Sequence, residues 1–208
     1  MKASAVMTLG SLLALSVPAE AGAPLERVQS AVSAVIEIVT RSDLRGPPNL
    51  VARRALLRDV ADDLFDFPAM ARSSLGSHWA TPSERERAEF LVLFTDVLER
   101  SYVRTIENYA GEQIVYLGET VKSDYATVRS KILTARGAEI RVDYRLRRSA
   151  AAGWSAFDVV LEHVSLAANY REQINRVLRT TSFPTLLARM RAGQLAAVTI
   201  PPGAGKPR

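Results

Sequence analysis

Residues that could carry out chemistry are few in this chain of 208 residues. His78 and His163 are the only histidines, and the absence of cysteine excludes disulfides, thiol nucleophiles and zinc–thiolate sites. No GxSxG, HExxH, P-loop or GxGxxG motif occurs, and no cluster has the spacing of metal ligands. The sequence therefore predicts no active site and no metal site. We expect a protein that is not an enzyme and needs no cofactor.

Asp158 is the acidic residue with the most unusual setting, because it lies between Phe157 and Val159. Partnership with His163 is disfavoured, since residues five apart along one strand face opposite sides. Glu162 shares the face of Asp158 but lies about 13 Å away along a strand, whereas paired glycosidase carboxylates lie roughly 5–9.5 Å apart. We interpret Asp158 as a polar residue on a solvated face, or as the partner of an arginine on the next strand. A general base remains the alternative.

The rest of the chain is organised around residues 140–173. Apolar residues alternate with charged ones from Ile140 to Arg147, which predicts a strand with one buried face and one solvated face. Small residues at 149–153 predict a hairpin, and a second strand follows over residues 154–161. After Ser165 the apolar spacing becomes helical. A half-buried hairpin leading into an amphipathic helix implies a sheet covered by helices.

The remaining elements follow from apolar spacing and from helix-breaking residues. Helical stripes predict helices near residues 25–41, 50–64, 68–76, 82–111 and 182–193. The motif Thr81-Pro82-Ser83-Glu84 predicts a capping box, with Pro82 as the first helical residue of the long helix. Alternation predicts strands over residues 112–146, with turns near Ser123-Asp124 and Arg136-Gly137. No alternation of strands and helices is present, so the prediction is an α+β fold with a largely antiparallel four-stranded sheet.

Both ends of the chain differ from the middle. Residues 1–21 combine Lys2, an apolar run and the small-residue motif Ala19-Glu20-Ala21, which predicts a cleaved secretory signal and an exported protein. We expect one domain over residues 22–200 and a disordered tail over 201–208. The net charge is +5, because 23 arginines and 4 lysines outnumber the 22 acidic residues. The basic residues are scattered and accompany no nucleic-acid-recognition motif, so a nucleic-acid partner is not expected.

Several stretches together resemble the MlaC family of toluene-tolerance auxiliary proteins. They are FDFPAMARSSLGSHW from Phe65, SERERAEFLVLFTDVLERSY from Ser83, and VDYRLRR and WSAFDVVLEHVSLAANYREQI from Val142 and Trp154. The resemblance covers residues 25–194. One departure is His163, which stands where the family commonly has glycine. A related branch that occurs alongside hopanoid biosynthesis is the alternative assignment.

The resemblance implies an NTF2-like fold, in which a curved four-stranded sheet is wrapped by about six to seven helices around an apolar cavity. It implies a periplasmic phospholipid carrier whose cavity holds the acyl tails and which maintains outer-membrane lipid asymmetry. The implied partners are phospholipid, an inner-membrane ABC transporter with a substrate-binding domain, and an outer-membrane lipoprotein complex. We expect a monomer whose only bound group is the phospholipid.

Candidate cavity-wall residues are the apolar rows of the sheet and the facing side of the long helix. The predicted set is Phe94, Leu98, Tyr102, Leu117, Val128, Ile132, Val142, Tyr144 and Leu146. Arg171, in the following helix, is either a headgroup contact at the mouth or a solvated surface charge. Ordinary core packing is the alternative for every wall residue. Two other functions stay open: an NTF2-like enzyme acting on an apolar substrate through Asp158, and an adaptor with a solid core.

Overall fold

The computed structural model describes residues 23–150 and 152–195. The predicted signal segment, residues 1–21, and the predicted tail, residues 201–208, lie outside the described residues. The described part contains these elements in order: α1 (Ala23–Thr40), α2 (Leu50–Leu64), α3 (Phe67–Leu75), α4 (Glu84–Glu107), β1 (Gln113–Lys122), β2 (Tyr125–Leu133), β3 (Glu139–Ser149), β4 (Gly153–Leu161), β5 (Val164–Ser165), α5 (Leu166–Leu178) and α6 (Phe183–Arg191). Helices stand before and after one run of strands, which confirms the α+β prediction.

The strands form one antiparallel sheet in the order β1-β2-β3-β4-β5. The sequence predicted the first four strands and missed β5, because two residues are too few to show a period. A two-residue turn, Glu162-His163, leads into β5 with φ angles of 45° and 68°. Tight hairpins favour two such left-handed residues because they match the twist of the strands. His163 thus adopts a left-handed conformation that favours glycine.

Cross-strand pairing divides the sheet into an inner face and an outer face. Residues directly opposite each other share a face, and Val128 lies opposite Tyr144 while Ser130 lies opposite Val142. We define the inner face by these rows: Ile114, Tyr116, Glu119, Val121, Ala126, Val128, Ser130, Ile132, Ile140, Val142, Tyr144, Leu146, Arg148, Trp154, Ala156, Val159 and Leu161. Val28 of α1 and Leu64 of α2 pack against this face, so both helices cover it.

A bulge in β1 changes which of its residues face inward. The pairing shifts between Tyr116 and Gly118, and Gly118 has φ of 108°, a conformation that favours glycine. Tyr116 and Glu119 both face inward as a result, whereas Leu117 is 52% exposed. The predicted inward placement of Leu117 is therefore wrong, because uninterrupted alternation does not continue through the bulge.

The helices α3 to α6 enclose a core of their own. Its buried residues, which we call the helical core, are Met70, Ala71, Leu75, Phe90, Phe94, Val97, Leu98, Tyr170, Ile174, Val177, Leu186, Leu187, Met190 and Leu195. Phe94 is central, stacking on Phe90 at 5.7 Å between ring centroids and meeting Tyr170 edge-on at 5.5 Å. The protein therefore has a helix-only core beside the interface between the sheet and α1 and α2.

The long helix α4 begins two residues later than the sequence predicted. Ser83 is its N-cap, with an extended backbone (φ −62°, ψ 163°), and forms a reciprocal capping box with Glu86. Thr81, the predicted cap, has helical angles at the end of a 3-10 helix spanning Gly76–Ala80. Thr81 and Ser83 both fit the capping-box motif, and their backbone angles show that Ser83 is the N-cap.

Replacing Ser83 with Ala is expected to lower the free energy of unfolding by about 1 kcal/mol. The substitution removes the hydroxyl that accepts from the Glu86 backbone N–H and donates to the Glu86 carboxylate. Urea denaturation measures the loss, with Thr81→Ala as the matched control that leaves stability nearly unchanged. A loss confined to Thr81→Ala would instead support the boundary predicted from the sequence.

Candidate functional site on the inner face of the sheet

An incompletely buried apolar patch lies on the inner face of the sheet and against two neighbouring segments. Phe65 contributes from the chain between α2 and α3, and Tyr102 from α4. The patch consists of buried Val142, Val159, Leu161 and Leu166, and of half-buried Phe65, Tyr102, Ile132, Ile140 and Tyr144. Apolar side chains that pack together but keep accessible surface are typical of a ligand-binding wall. The helical core, in contrast, is closed around Phe90 and Phe94, which are fully buried.

Tyr144 lies deep in this apolar patch. Burial raises the pKa of its phenol above the ordinary value, and the nearby phenol of Tyr116 adds to the rise. A close-packed side chain in the interior loses its accessible surface, as Tyr170 does at 0% exposed. Tyr144 is half-buried, and it packs against apolar neighbours of the patch and of the interface with α1 and α2. Part of its surface therefore stays accessible, unlike that of a close-packed core ring.

The structure brings four of the predicted wall residues into the apolar patch, namely Tyr102, Ile132, Val142 and Tyr144. Val128 and Leu146 share the inner face but are 0% exposed, because they pack in the core that α1 and α2 form with the sheet. Phe94 and Leu98 lie instead in the helical core, which contains no residue of the described strands. Leu117 is exposed at the bulge. The predicted wall is thus divided into an inner-face set and three residues placed elsewhere.

Several residues of this region were not among the predicted wall residues, and three of them show why. Ile140 belongs to the alternating row of β3, so the pattern contained it. Tyr116 faces inward next to the bulge, and glycine inside a strand pattern is the sequence signal for such a bulge. Phe65 is brought in by pairing of its segment with Ala156 in β4. A contact of such long sequence separation has no local signal.

Arg171 is placed on α5 against the end of α3. Its Nε donates to the Ser73 carbonyl oxygen at 2.8 Å, and its Nη2 donates to the Ser73 hydroxyl at 3.2 Å. The aliphatic part of its side chain lies against Gly76, where a Cβ would come within 3.0 Å of it. These contacts give Arg171 a role in holding α5 to α3, in addition to its exposed position.

Asp158 is a structural junction between β4 and α5. Its carboxylate accepts from the Ser165 hydroxyl at 2.6 Å and from the Ala167 backbone N–H at 3.1 Å, and it pairs with Arg145 at 3.3 Å. Arg145 lies directly opposite on β3, which confirms the predicted cross-strand partner. The side chain is buried rather than solvated, at 3% exposed. Since its oxygens serve the first turn of α5, the arrangement favours helix capping over base catalysis.

Charge is distributed unequally over the two faces of the sheet. On the inner face of β1 to β4 the charged residues are Glu119, which accepts from the Leu25 backbone N–H, and Arg148 at the end of β3, which pairs with Asp124. The other cations of β2 and β3 lie in the outer rows, at Arg129, Lys131, Arg141, Arg145 and Arg147. Apart from Glu119 and Arg148, the inner face carries apolar and neutral polar side chains.

Two other cavities, of about 290 and 270 Å³, lie beside α6 where the described chain ends at Leu195. They are lined by arginines such as Arg100 and Arg176 and are separate from the inner face. Within residues 23–150 and 152–195, no cluster of acidic residues and histidines could hold a metal ion. Over the same residues, no helix is long and apolar enough to cross a membrane.

Comparison with known proteins identifies the family. The MlaC protein family model matches residues 29–192, and the chain therefore belongs to the MlaC family. A relative from Haemophilus influenzae, the intermembrane phospholipid transport system binding protein MlaC, is 23% identical over 154 residues, covering 72% of this chain and 71% of that protein. This family membership confirms the resemblance seen in the sequence.

The fold also matches a solved structure, the phospholipid-binding protein from Ralstonia solanacearum in complex with a phospholipid. The TM-score is 0.72 and the sequence identity 23%, over 81% of this chain and 94% of that one. At this identity the likeness shows that the two chains share a fold. The arrangement of sheet and helices described above is thus the fold of that protein.

Proposed function

We propose that this protein is a periplasmic carrier that holds the acyl tails of a phospholipid against the inner face of the sheet. The observation that carries the proposal is the incompletely buried apolar patch, in which Tyr144 is half-buried among apolar side chains. Family membership supports it, as do the names of the two relatives, one a phospholipid transport system component and the other a phospholipid-binding protein.

The physical chemistry of lipid transfer explains why such a protein needs no catalytic group. Moving a diacyl lipid through water exposes on the order of 30 methylenes, each costing about 0.8 kcal/mol. A protein that provides an apolar wall exchanges one apolar environment for another and avoids most of this cost. The helical core then supplies stability, while the apolar patch stays available to the ligand.

In this proposal the carrier moves lipid between two membrane complexes and so maintains outer-membrane lipid asymmetry. The partners are an inner-membrane ABC transporter with a substrate-binding domain and an outer-membrane lipoprotein complex. The carrier acts as a monomer, since one inner face accommodates one ligand. A hopanoid is the alternative ligand, and identification of the bound molecule distinguishes it from a phospholipid.

Replacing Ile132 with Trp is expected to reduce the amount of lipid that the protein retains to less than about one-tenth of the wild-type amount. A tenfold reduction corresponds to a loss of about 1.4 kcal/mol in the binding free energy of the lipid. Ile132 is half-buried in the apolar patch, so a larger ring would occupy space that the acyl tails need. Native mass spectrometry of protein purified without detergent measures the adduct and identifies the lipid released from it.

Leu186→Trp is the matched control, because Leu186 is 0% exposed in the helical core. Overpacking there is expected to cost about 1–3 kcal/mol of unfolding free energy, while Ile132→Trp leaves stability nearly unchanged. Wild-type protein that shows only an apo mass after incubation with phospholipid vesicles would exclude the carrier. An undiminished adduct in Ile132→Trp would place the lipid away from the apolar patch.

A further inference from the structure

Two tyrosine hydroxyls on the inner face lack protein partners. Tyr116 on β1 and Tyr144 on β3 are separated by β2, where they lie opposite Ser130 and Val128 respectively. Other polar groups nearby are satisfied: the Ser130 hydroxyl donates to the Val142 carbonyl oxygen at 2.8 Å. Within the described part of the chain, neither phenol hydroxyl of the pair forms a hydrogen bond to a side chain or to the backbone.

Both residues are half-buried and both hydroxyls keep accessible surface, so a ligand on the inner face can reach them. A hydrogen bond to the ligand would replace one to water. Burial raises the pKa of both phenols, most strongly for Tyr144. Both remain protonated at neutral pH and act as donors as well as weak acceptors. The pair thus presents two hydrogen-bond donors to the space that the proposed ligand occupies.

The surroundings decide what kind of acceptor fits these donors. The inner-face cation, Arg148, lies four residues beyond Tyr144 at the end of β3, where it stacks on Trp154 and pairs with Asp124. The other charged residue of this face, Glu119, is an anion. A phosphate brought to the two phenols would lose its hydration without gaining a free cation, which is strongly unfavourable. A neutral carbonyl oxygen meets no such penalty. In a diacyl lipid, the neutral acceptors next to the tails are the ester carbonyls.

We propose that Tyr116 and Tyr144 donate hydrogen bonds to the ester carbonyl oxygens of the bound lipid, so that the protein prefers ester-linked over ether-linked tails. The inference rests on the proposed carrier function and adds to it a chemical determinant of ligand choice. The phosphate and headgroup then stay outside the inner face. The tails extend from the phenols along the apolar patch toward Ile132, Ile140 and Val142.

The test is a competition between two lipids that differ only in the linkage. Protein is incubated with vesicles that contain equal amounts of a diester phosphatidylglycerol and its diether analogue with the same chains, and native mass spectrometry gives the ratio of the two adducts. One neutral hydrogen bond corresponds to a preference of about two- to tenfold. Wild type is expected to favour the diester roughly fivefold or more. The ratio does not depend on how much protein is folded.

Tyr144→Phe is expected to lower the preference by about threefold or more, and Tyr116→Phe with Tyr144→Phe to bring the ratio to about one. Tyr170→Phe is the matched control, because the Tyr170 hydroxyl lies in the helical core near Ser101 and its loss should leave the ratio unchanged. A wild-type ratio of one, or an unchanged ratio in the double variant, overturns the inference while leaving the carrier intact. Failure of both lipids to bind wild type overturns the carrier itself.

Discussion

Asp158→Ala is expected to lower the free energy of unfolding by about 3 kcal/mol, one of the largest losses for a single substitution in this protein. The carboxylate is 3% exposed and is the acceptor for two buried donors, the Ser165 hydroxyl and the Ala167 backbone N–H. Alanine leaves both donors without an acceptor, and each such loss costs about 1–3 kcal/mol. Arg145 adds little, because its side chain is 48% exposed and regains water when the pair is lost.

Chemical denaturation followed by circular dichroism measures this loss, and two further variants show its cause. Asp158→Asn keeps one carbonyl oxygen for the Ala167 N–H and is expected to lose about half as much. Arg145→Ala removes only the exposed member of the ion pair and is expected to cost less than about 1 kcal/mol. If Arg145→Ala were as costly as Asp158→Ala, the ion pair rather than the capping of α5 would hold this junction.

The parts of the fold that the sequence predicted are those set by local periodicity. Residues 140–147 alternate so regularly that β3 could be placed with its inner and outer rows, and its pairing with β4 followed from the small residues of the hairpin. The helices before the sheet were predicted because Pro and Gly separate their apolar stripes. Even the cross-strand partner of Asp158 was predicted, since charged residues on a strand usually pair across it.

The features that could not be predicted depend on geometry that periodicity does not contain. The bulge at Gly118 shifts the β1 register, so alternation predicted the wrong face for Leu117. Two overlapping capping motifs were present before α4, and only the backbone angles of Thr81 and Ser83 distinguish them. Phe65 reaches the apolar patch through pairing with a strand far along the chain. In each case the deciding feature is either a backbone conformation or an interaction between residues that are distant in sequence.

Helix α4 contributes residues to two environments, which explains the largest difference between the predicted and the observed ligand-binding wall. Phe94 and Tyr102 fit the same helical stripe, which indicates burial but not what each residue is buried against. The structure places Phe94 inside the helical core and Tyr102 between that core and the apolar patch. One helix therefore contributes both to the stability of the protein and to its proposed ligand-binding wall, and substitutions at the two residues should have separable effects.

Phe94→Ala is accordingly expected to lower the free energy of unfolding by about 3–5 kcal/mol, the usual loss for a buried phenylalanine. The ring is 0% exposed and contacts Phe90 and Tyr170, so alanine leaves a cavity that rigid helices on all sides cannot close. Lipid retained per folded molecule should stay at the wild-type level, because Phe94 belongs to the helical core and not to the apolar patch. Chemical denaturation and native mass spectrometry on the same sample measure both quantities. Lost lipid with stability nearly unchanged would mean that Phe94 lines the ligand-binding space, as the sequence alone predicted.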